Sequence, residues 1–434
     1  MNTVREMVET GELWLGAIPA TWTLARASTV MKERRERCSD TEYEALSVTK
    51  GGVVPQLESV ALTMHNENRK LARKGDFVIN SRSDRKGSAG VARQDGSVST
   101  IYQVWKLTGL DPAFCDHLLR SVQFQEEFYR MGKGIVADLW TTGSDEMKLV
   151  ELPLPPLPEQ RAIAKFLARE TAKIDTLVEE QRKLIELLKE KRQALITQAV
   201  TKGLDPTVNM KDSGIEWLGE VPEHWRLGRL SSIGRISGGG TPSRDNPEYW
   251  GEDIAWVSSK DVKSAYISDA KEYITDRGLK ESSTKLVDPG SVIMVVRSGI
   301  LQHTLPVAVV TKSVAINQDI KAIMFNEETL VADYFCHFVN GYNDQLLNLW
   351  QTQGATVESI DVDLMRKSLL PMPPVNEQRA IVERLSCKLE LFESLIHRAE
   401  TSSILLKERR SALISATVTG KIDVRDMIDE EVKS

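Results

Sequence analysis

The sequence predicts a mixed α/β (α+β) chain with an internal pseudo-twofold repeat, in which two globular α/β regions are separated by two long helices paired as an antiparallel coiled coil. Three observations carry this. The stretch Pro153-Leu154-Pro155-Pro156-Leu157-Pro158-Glu159-Gln160-Arg161-Ala162-Ile163 returns as Pro371-Met372-Pro373-Pro374-Val375-Asn376-Glu377-Gln378-Arg379-Ala380-Ile381, and the register then holds without a gap to Asp205 and Asp423. Gly11, Trp14, Leu15, Gly16, Pro19 and Trp22 match Gly214, Trp217, Leu218, Gly219, Pro222 and Trp225. Downstream of each proline-rich stretch, apolar residues recur at the three-and-four spacing of a helical seam.

The proline-rich stretches mark helix starts, because proline is tolerated only at the entry of a helix, and the residues after them are strong helix formers. Pro158 or Asn376 opens the helix, Glu159 or Glu377 sits in its first turn, and Gly203 or Gly420 follows its last turn. In the first copy Leu167, Ile174, Leu188 and Leu195 share one heptad series, broken by Gln181, with Ile163, Leu177 and Leu184 on the companion series. The second copy has Leu385, Phe392, Ala399, Leu406 and Leu413, joined by Ile381 and Leu395. Such helices would be roughly 60 Å long. Neither buries its stripe alone, so each is the natural partner of the other. The alternative is two unrelated amphipathic helices, each packed on its own domain. The expected partition is a first head over residues 1–150, a helical spacer over 151–205, a second head over 206–368, and a second spacer with a C-terminal tail over 369–434.

The heads read as short strands and loops. Glu44–Val48, Asp76–Asn80 and Ile101–Trp105 are strand candidates in the first, and Ile254–Val257, Ser291–Val296 and Ile320–Ile323 in the second. Lys74-Gly75-Asp76 before one central strand matches Pro289-Gly290-Ser291 before the other. Each head turns helical near 112–131 or 329–350. Away from these landmarks the heads look unlike, so a repeated frame carries two different readers. DNA suits two readers at a fixed separation, because half-site spacing is a geometric quantity.

Composition fits a protein of two or three domains: 434 residues, 41% hydrophobic and 27% charged. With no apolar run of membrane-spanning length and no signal-like apolar core at the start, a cytoplasmic protein is expected. Cys38, Cys115, Cys336 and Cys387 lie far apart, and neither a disulfide framework nor a zinc site is indicated. A net charge of −6 argues against a long basic nucleic-acid face, so a DNA role needs a local patch or basic partners.

That patch is sought first between Asn66 and Arg93, where eight Lys or Arg face three acids. Within it, Arg82, Ser83, Arg85 and Lys86 lie in a loop that follows a strand, and such side chains hydrogen-bond base edges or neutralise phosphates. A solvated surface loop is the other reading. Thr49 and Lys50, before Gly51-Gly52, end another strand and allow close backbone approach. In the second head the candidates are Gly239, Thr241, Ser243 and Arg244, then Ser259 and Lys260, then Arg297 and Ser298. The run Gly238-Gly239-Gly240 is either a phosphate cradle made of backbone N–H groups or a flexible turn; no Lys-Ser/Thr follows to make a nucleotide P-loop.

Catalytic constellations are missing from the sequence. There is no Asp/Asn-Pro-Pro-Tyr/Phe stretch, no dinucleotide fingerprint and no His-Glu-x-x-His, and His65, His117, His224, His303, His337 and His397 are scattered. Asp145-Glu146-Met147-Lys148 is read as a chance likeness to a nuclease element. A chain without chemistry of its own is expected, with no metal site.

The doubled Pro-x-Pro-Pro-x-x-Glu-Gln-Arg-Ala-Ile entry and the doubled Trp-Leu-Gly-x-Ile/Val-Pro-x-x-Trp motif resemble the specificity subunits of type I restriction-modification systems, in a pattern spanning the whole chain. The resemblance implies a DNA-binding, non-catalytic subunit in which each target-recognition domain reads one half of a split double-stranded DNA sequence and the coiled coil sets the gap. It implies two modification subunits that bind S-adenosylmethionine and methylate adenine, and two restriction subunits that are ATP-driven translocases and endonucleases, with S-adenosylmethionine, ATP and magnesium held by those partners and no cofactor in this chain. Phage defence is the implied setting, with no membrane role. By the same resemblance Glu159, Gln160 and Arg161 with Glu377, Gln378 and Arg379 either face the modification subunits or lock helix to domain; simple helix capping is the alternative. A coiled-coil scaffold without sequence-specific DNA binding is the competing function.

Overall fold

Two helices, Leu157–Lys202 and Val375–Val418, run through both halves of the protein. The first starts after Pro155-Pro156 and carries Pro158 in its first turn, and the second starts after Pro373-Pro374. Each ends before a glycine with positive φ, Gly203 at 73° and Gly420 at 75°, the left-handed conformation that terminates a helix. The computed structural model describes residues 5–56, 68–134, 140–352 and 357–425. His65 and the first two residues of the basic stretch, Asn66 and Glu67, lie outside them.

The chain divides into two units, Met1–Arg182 with Glu400–Ser434, and Lys183–Ala399. This division cuts across the four-part partition read from sequence. The reason lies in the helix pairing within each unit. In the first unit, Ile163, Ala164 and Leu167 share a core with Leu413, Ile414 and Val418, and Arg410 pairs with Asp175 at 2.8 Å. In the second, Ile196, Ala199 and Val200 share a core with Ile381 and Leu385, and Arg192 lies 3.9 Å from Glu393. In both units the early half of one helix runs antiparallel to the late half of the other, so each unit takes a head and half of each helix.

The seam is narrower than its heptads suggest. Leu167, Ile174, Leu385 and Ala399 are buried, but Leu177, Leu184 and Leu395 of the companion series are exposed at 44%, 42% and 38%. The companion series lies about 40–60° around each helix from the main stripe; it is buried at Ile163 and Ile381 and exposed at those three leucines.

The first unit holds an antiparallel sheet in the order Ala89–Val91, Phe77–Asn80, Tyr102–Leu107 and Met31–Glu33. A second, three-stranded sheet runs Gly96–Val98, Arg69–Ala72, Arg37–Cys38, and Leu46–Thr49 forms a hairpin with Gly52–Pro55. The helices Pro112–Leu119 and Val122–Arg130 close its core over Phe77, Trp105, Phe114, Phe124 and Phe128.

The second unit has a five-stranded sheet, Gly234–Gly238, Ile320–Phe325, Val292–Val295, Val307–Val310 and Tyr266–Ile267. A four-stranded sheet runs Glu272–Ile274, Trp250–Val257, Val314–Ile316 and Lys285–Val287. The helices Ala332–Gly341 and Asn343–Trp350 cover the core around Tyr334, Phe335, Phe338 and Trp350. The strand candidates of both heads are strands in the structure, with ends shifted by a few residues.

Two pairings escaped the sequence reading. Thr23–Arg26 pairs with Glu151–Leu154, and Arg226–Arg229 with Leu369–Met372. In each unit the strand after the tryptophan motif therefore pairs with the strand that leads into the long helix. Pro153 and Pro371 disguise these segments, since proline gives no N–H to a ladder and is tolerated only in such edge positions.

Candidate nucleic-acid interface

The frame positions the loops through side-chain locks between each long helix and its head. Gln160 accepts the Asp111 N–H at 2.8 Å through Oε1 and donates to the Pro155 carbonyl at 2.9 Å. Gln378 repeats this, accepting the Val331 N–H at 2.8 Å and donating to the carbonyls of Pro373 and Thr329 at 2.8 and 3.0 Å. Asp111 and Val331 are the N-caps of the head helices Pro112–Leu119 and Ala332–Gly341. One buried amide thus ties the long helix to a head helix in each unit.

The neighbouring glutamates are also occupied, with different partners. Glu159 pairs with Arg5 at 2.6 Å, and the Arg5 guanidinium lies 5.1 Å from the centre of the Trp22 ring. Glu377 accepts the Trp225 indole N–H at 3.1 Å and pairs with His224 at 2.8 Å. Of the six residues proposed for the frame from sequence, Glu159, Gln160, Glu377 and Gln378 are therefore spent inside a unit, joining helix to head. Arg161 and Arg379 are exposed, with Arg161 3.8 Å from Asp111.

In the first head, Arg82, Ser83, Arg85 and Lys86 follow the strand Phe77–Asn80, and Ser83–Arg85 form a single 3-10 turn. The turn is held at its base. Arg82 bridges to Thr141, the Ser83 N–H donates to the Trp140 carbonyl at 2.9 Å, and the Arg82 N–H donates to the buried Asn80 side chain at 3.0 Å. Asp84 accepts from Arg82 Nε at 3.0 Å and Nη2 at 3.1 Å. Arg85 is 71% exposed, and Lys86 pairs with Glu126 at 2.5 Å. The Thr49–Lys50 turn lies beside this loop: a Cβ built on Gly87 would sit 3.7 Å from Lys50 Cγ, and Arg120 clamps the Lys50 carbonyl at 2.9 Å. The two candidate loops of this head thus share one patch.

In the second head, Arg297 and Ser298 follow the strand Val292–Val295 and precede the 3-10 turn Gly299–Gln302. Arg297 bridges to Ser359, and the Ser298 N–H donates to the Glu358 carbonyl at 3.0 Å. Arg297 Nε donates to Asp319 at 2.7 Å. Arg82-Ser83 and Arg297-Ser298 therefore occupy the same place in their heads: after a central strand, at a 3-10 turn, bridged to the segment that precedes the long helix. The sequence carried a signal for this that went unread. Arg82 stands at the same distance beyond Gly75 as Arg297 does beyond Gly290.

Thr241 meets Gln318 at 2.5 Å, next to Asp319, so the Thr241 and Arg297 segments flank one turn. The Ser243 carbonyl accepts the Trp250 indole N–H at 3.0 Å. Arg244 forms a two-point pair with Glu272, Nη1 at 2.6 Å and Nη2 at 2.8 Å, and its guanidinium stacks 3.8 Å from the Trp250 ring centre. Glu272 is held below its ordinary pKa, first by that hydrogen bond. Ser259 is half-buried and Lys260 exposed, the latter adding to the positive field on Glu272.

The glycine run needs correction. Gly240 donates its N–H to the Ile316 carbonyl at 3.0 Å, and a Cβ on Gly239 would fall 2.0 Å from that same oxygen. A Cβ on Gly240 would fall 2.1 Å from Ser283 Oγ. The glycines are there for close backbone packing, and the run is neither a phosphate cradle nor a flexible turn. Asp145 and Glu146 are likewise taken, by Lys148 at 2.7 Å and Lys133 at 2.6 Å. Among the described residues, no group of three metal-ligating side chains converges and no helix is long and apolar enough to cross a membrane.

Residues 222–398, within the second unit, match the family described as the type I restriction modification DNA specificity domain. The chain is 30% identical over 273 residues to the EcoR124I/EcoR124II specificity subunit of Escherichia coli, covering 62% of each. It is 26% identical over 318 residues to the putative MjaX specificity subunit of Methanocaldococcus jannaschii, covering 73% of this chain and 69% of that one. The fold is similar to that of the HsdS subunit from Thermoanaerobacter tengcongensis, with a TM-score of 0.58, 18% identity, and coverage of 93% of this chain and 98% of the other. A chain from a structural study of assembly and conformational transition in the type I R-M system gives a TM-score of 0.68 at 18% identity, covering 93% and 99%.

Proposed function

We propose that this chain is a specificity subunit of the type I restriction-modification kind and selects a bipartite double-stranded DNA target, one half-site per head, without catalysing a reaction itself. The observation that carries the reading is the pair of Arg-Ser elements. The same frame presents Arg82-Ser83 in one head and Arg297-Ser298 in the other, on otherwise unlike surroundings. Thr49, Lys50, Arg85 and Lys86 extend the first contact surface; Thr241, Ser243, Ser259 and Lys260 extend the second. The paired helices set the gap between half-sites.

Two modification subunits and two restriction subunits complete the assembly, and they hold S-adenosylmethionine, ATP and magnesium. Two features support a docked state. Leu177, Ile404 and Leu405 in the first unit and Leu184, Leu187, Leu391 and Leu395 in the second are exposed apolar positions on the long helices, whose first turns also carry the exposed Arg161 and Arg379. The net charge of −6 also leaves phosphate contacts for partners to supply. A cytoplasmic location follows from DNA as target. A coiled-coil scaffold would share the helices but has no use for two unlike heads.

Mapping adenine methylation in cells that carry this chain with its modification subunits tests the reading. Two short specific blocks separated by a constant unspecific gap are expected. Methylation without a recurring bipartite motif would reject it.

A further inference from the structure

Four arginines of the recognition loops lie against a carboxylate; Arg85 reaches Asp84 only at 4.0 Å, and the other three, held by close hydrogen bonds, differ in which edge of the guanidinium the acid occupies. Arg82 is held side-on: Nε and one Nη2 hydrogen face Asp84. Arg297 is held through Nε alone by Asp319, which is itself fixed by the Asn317 side-chain N–H at 3.1 Å. In both, the outer edge made by Nη1 and Nη2 meets no acceptor among the described residues, and the side chains are 45% and 56% exposed. Arg244 is the reverse. Glu272 fills its Nη1–Nη2 edge, and Trp250 covers one face.

A guanidinium offers five donors in a rigid fork, and its outer edge matches two parallel acceptors. Guanine presents such a pair, O6 and N7, in the major groove; a phosphate presents two oxygens. The buttressing acid separates the two. A phosphate brought to the outer edge would lie close to the Asp84 or Asp319 carboxylate and be repelled by it, which offsets part of the arginine's attraction for an anion. A neutral base edge suffers no such repulsion and gains from a fork fixed in advance. We infer that Arg82 and Arg297 are the guanine-reading side chains of the two heads, aimed by Asp84 and Asp319 as positioning residues, whereas Arg244 braces the Trp250 loop. This rests on the DNA-reading role proposed above.

The test is selection from a randomised duplex library by the full chain assembled with its modification subunits, comparing the wild type with Arg82→Lys, Arg82→Gln, Arg297→Lys and Asp84→Asn. Lysine keeps the charge and loses the fork. Arg82→Lys is expected to relax guanine preference at one position of one half-site by about ten- to a hundredfold, leaving the other half-site intact. Arg297→Lys should do the same in the other half-site. Asp84→Asn leaves the arginine in place and should relax the same position as Arg82→Lys, which general destabilisation would not do. Thermal unfolding of each variant checks folding. A phosphate contact would overturn the assignment: Arg82→Lys would keep the motif, and Arg82→Gln would weaken all sequences alike. A wild type that selects no bipartite motif would instead sink the proposed function itself.

Discussion

Gln378 accepts the backbone N–H of Val331 at 2.8 Å from a fully buried side chain, and so fixes the first turn of the second long helix to the start of a head helix. Its repeat, Gln160 with Asp111, does the same in the first unit at the same distance. Removing either amide leaves a part-buried N–H and a buried proline carbonyl without that partner. Gln378→Ala or Gln160→Ala should lower stability by about 2–4 kcal/mol, read by chemical denaturation of the full chain. A loss below about 0.5 kcal/mol, the range of ordinary surface changes, would mean that water replaces the lock.

His117 and His337 occupy matching places on the head helices, and burial pushes the pKa of each below the ordinary 6.5. His117 is opposed in this by Asp116 and reinforced by Arg120 and Arg410; His337 is opposed by Asp333 and reinforced by Arg192. The folded state therefore resists a proton that the unfolded chain accepts. Their contribution to stability is complete above about pH 6.5 and declines as pH falls from there toward the folded pKa. Thermal melts between pH 7.5 and 5 should show this decline, and His117→Asn with His337→Asn should flatten it. An equally steep decline in the double variant would assign the acid sensitivity elsewhere.

Arg244 braces its loop through Glu272 and the Trp250 ring. Arg244→Ala should cost about 1 kcal/mol of stability, since both partners are half-exposed, and should leave the selected DNA sequence unchanged. A changed half-site would return Arg244 to the reading surface.

Separable heads predict hybrid targets. Joining residues 1–150 of this chain to the second half of a type I specificity subunit should give a target with one half-site from each parent, read by methylation mapping. A target identical to either parent would contradict independent heads.

The frame was the legible part of the sequence, because repetition and helix punctuation are local signals. The Pro-to-Gly limits of both helices, the strand Phe77–Asn80 and the strand Val292–Val295 all follow from such signals. What stayed hidden depends on contacts distant in sequence. No spacing rule shows that Asp319 would hold Arg297, that Glu272 would occupy Arg244, or that Ile316 would press on Gly239. The leucines at 177, 184 and 395 fit the heptad pattern yet are exposed, because a periodic stripe says that a face is apolar without saying what covers it.

The gap between half-sites is the central claim, and changing the length of both helices together tests it most directly. One heptad inserted between Lys183 and Leu184 and another between Thr401 and Ser402 keeps the apolar register and adds about 10 Å to each helix. Methylation mapping of this variant should show both half-sites unchanged and the gap longer by about three base pairs, at 3.4 Å per step. Altered half-sites with an unchanged gap would contradict the account.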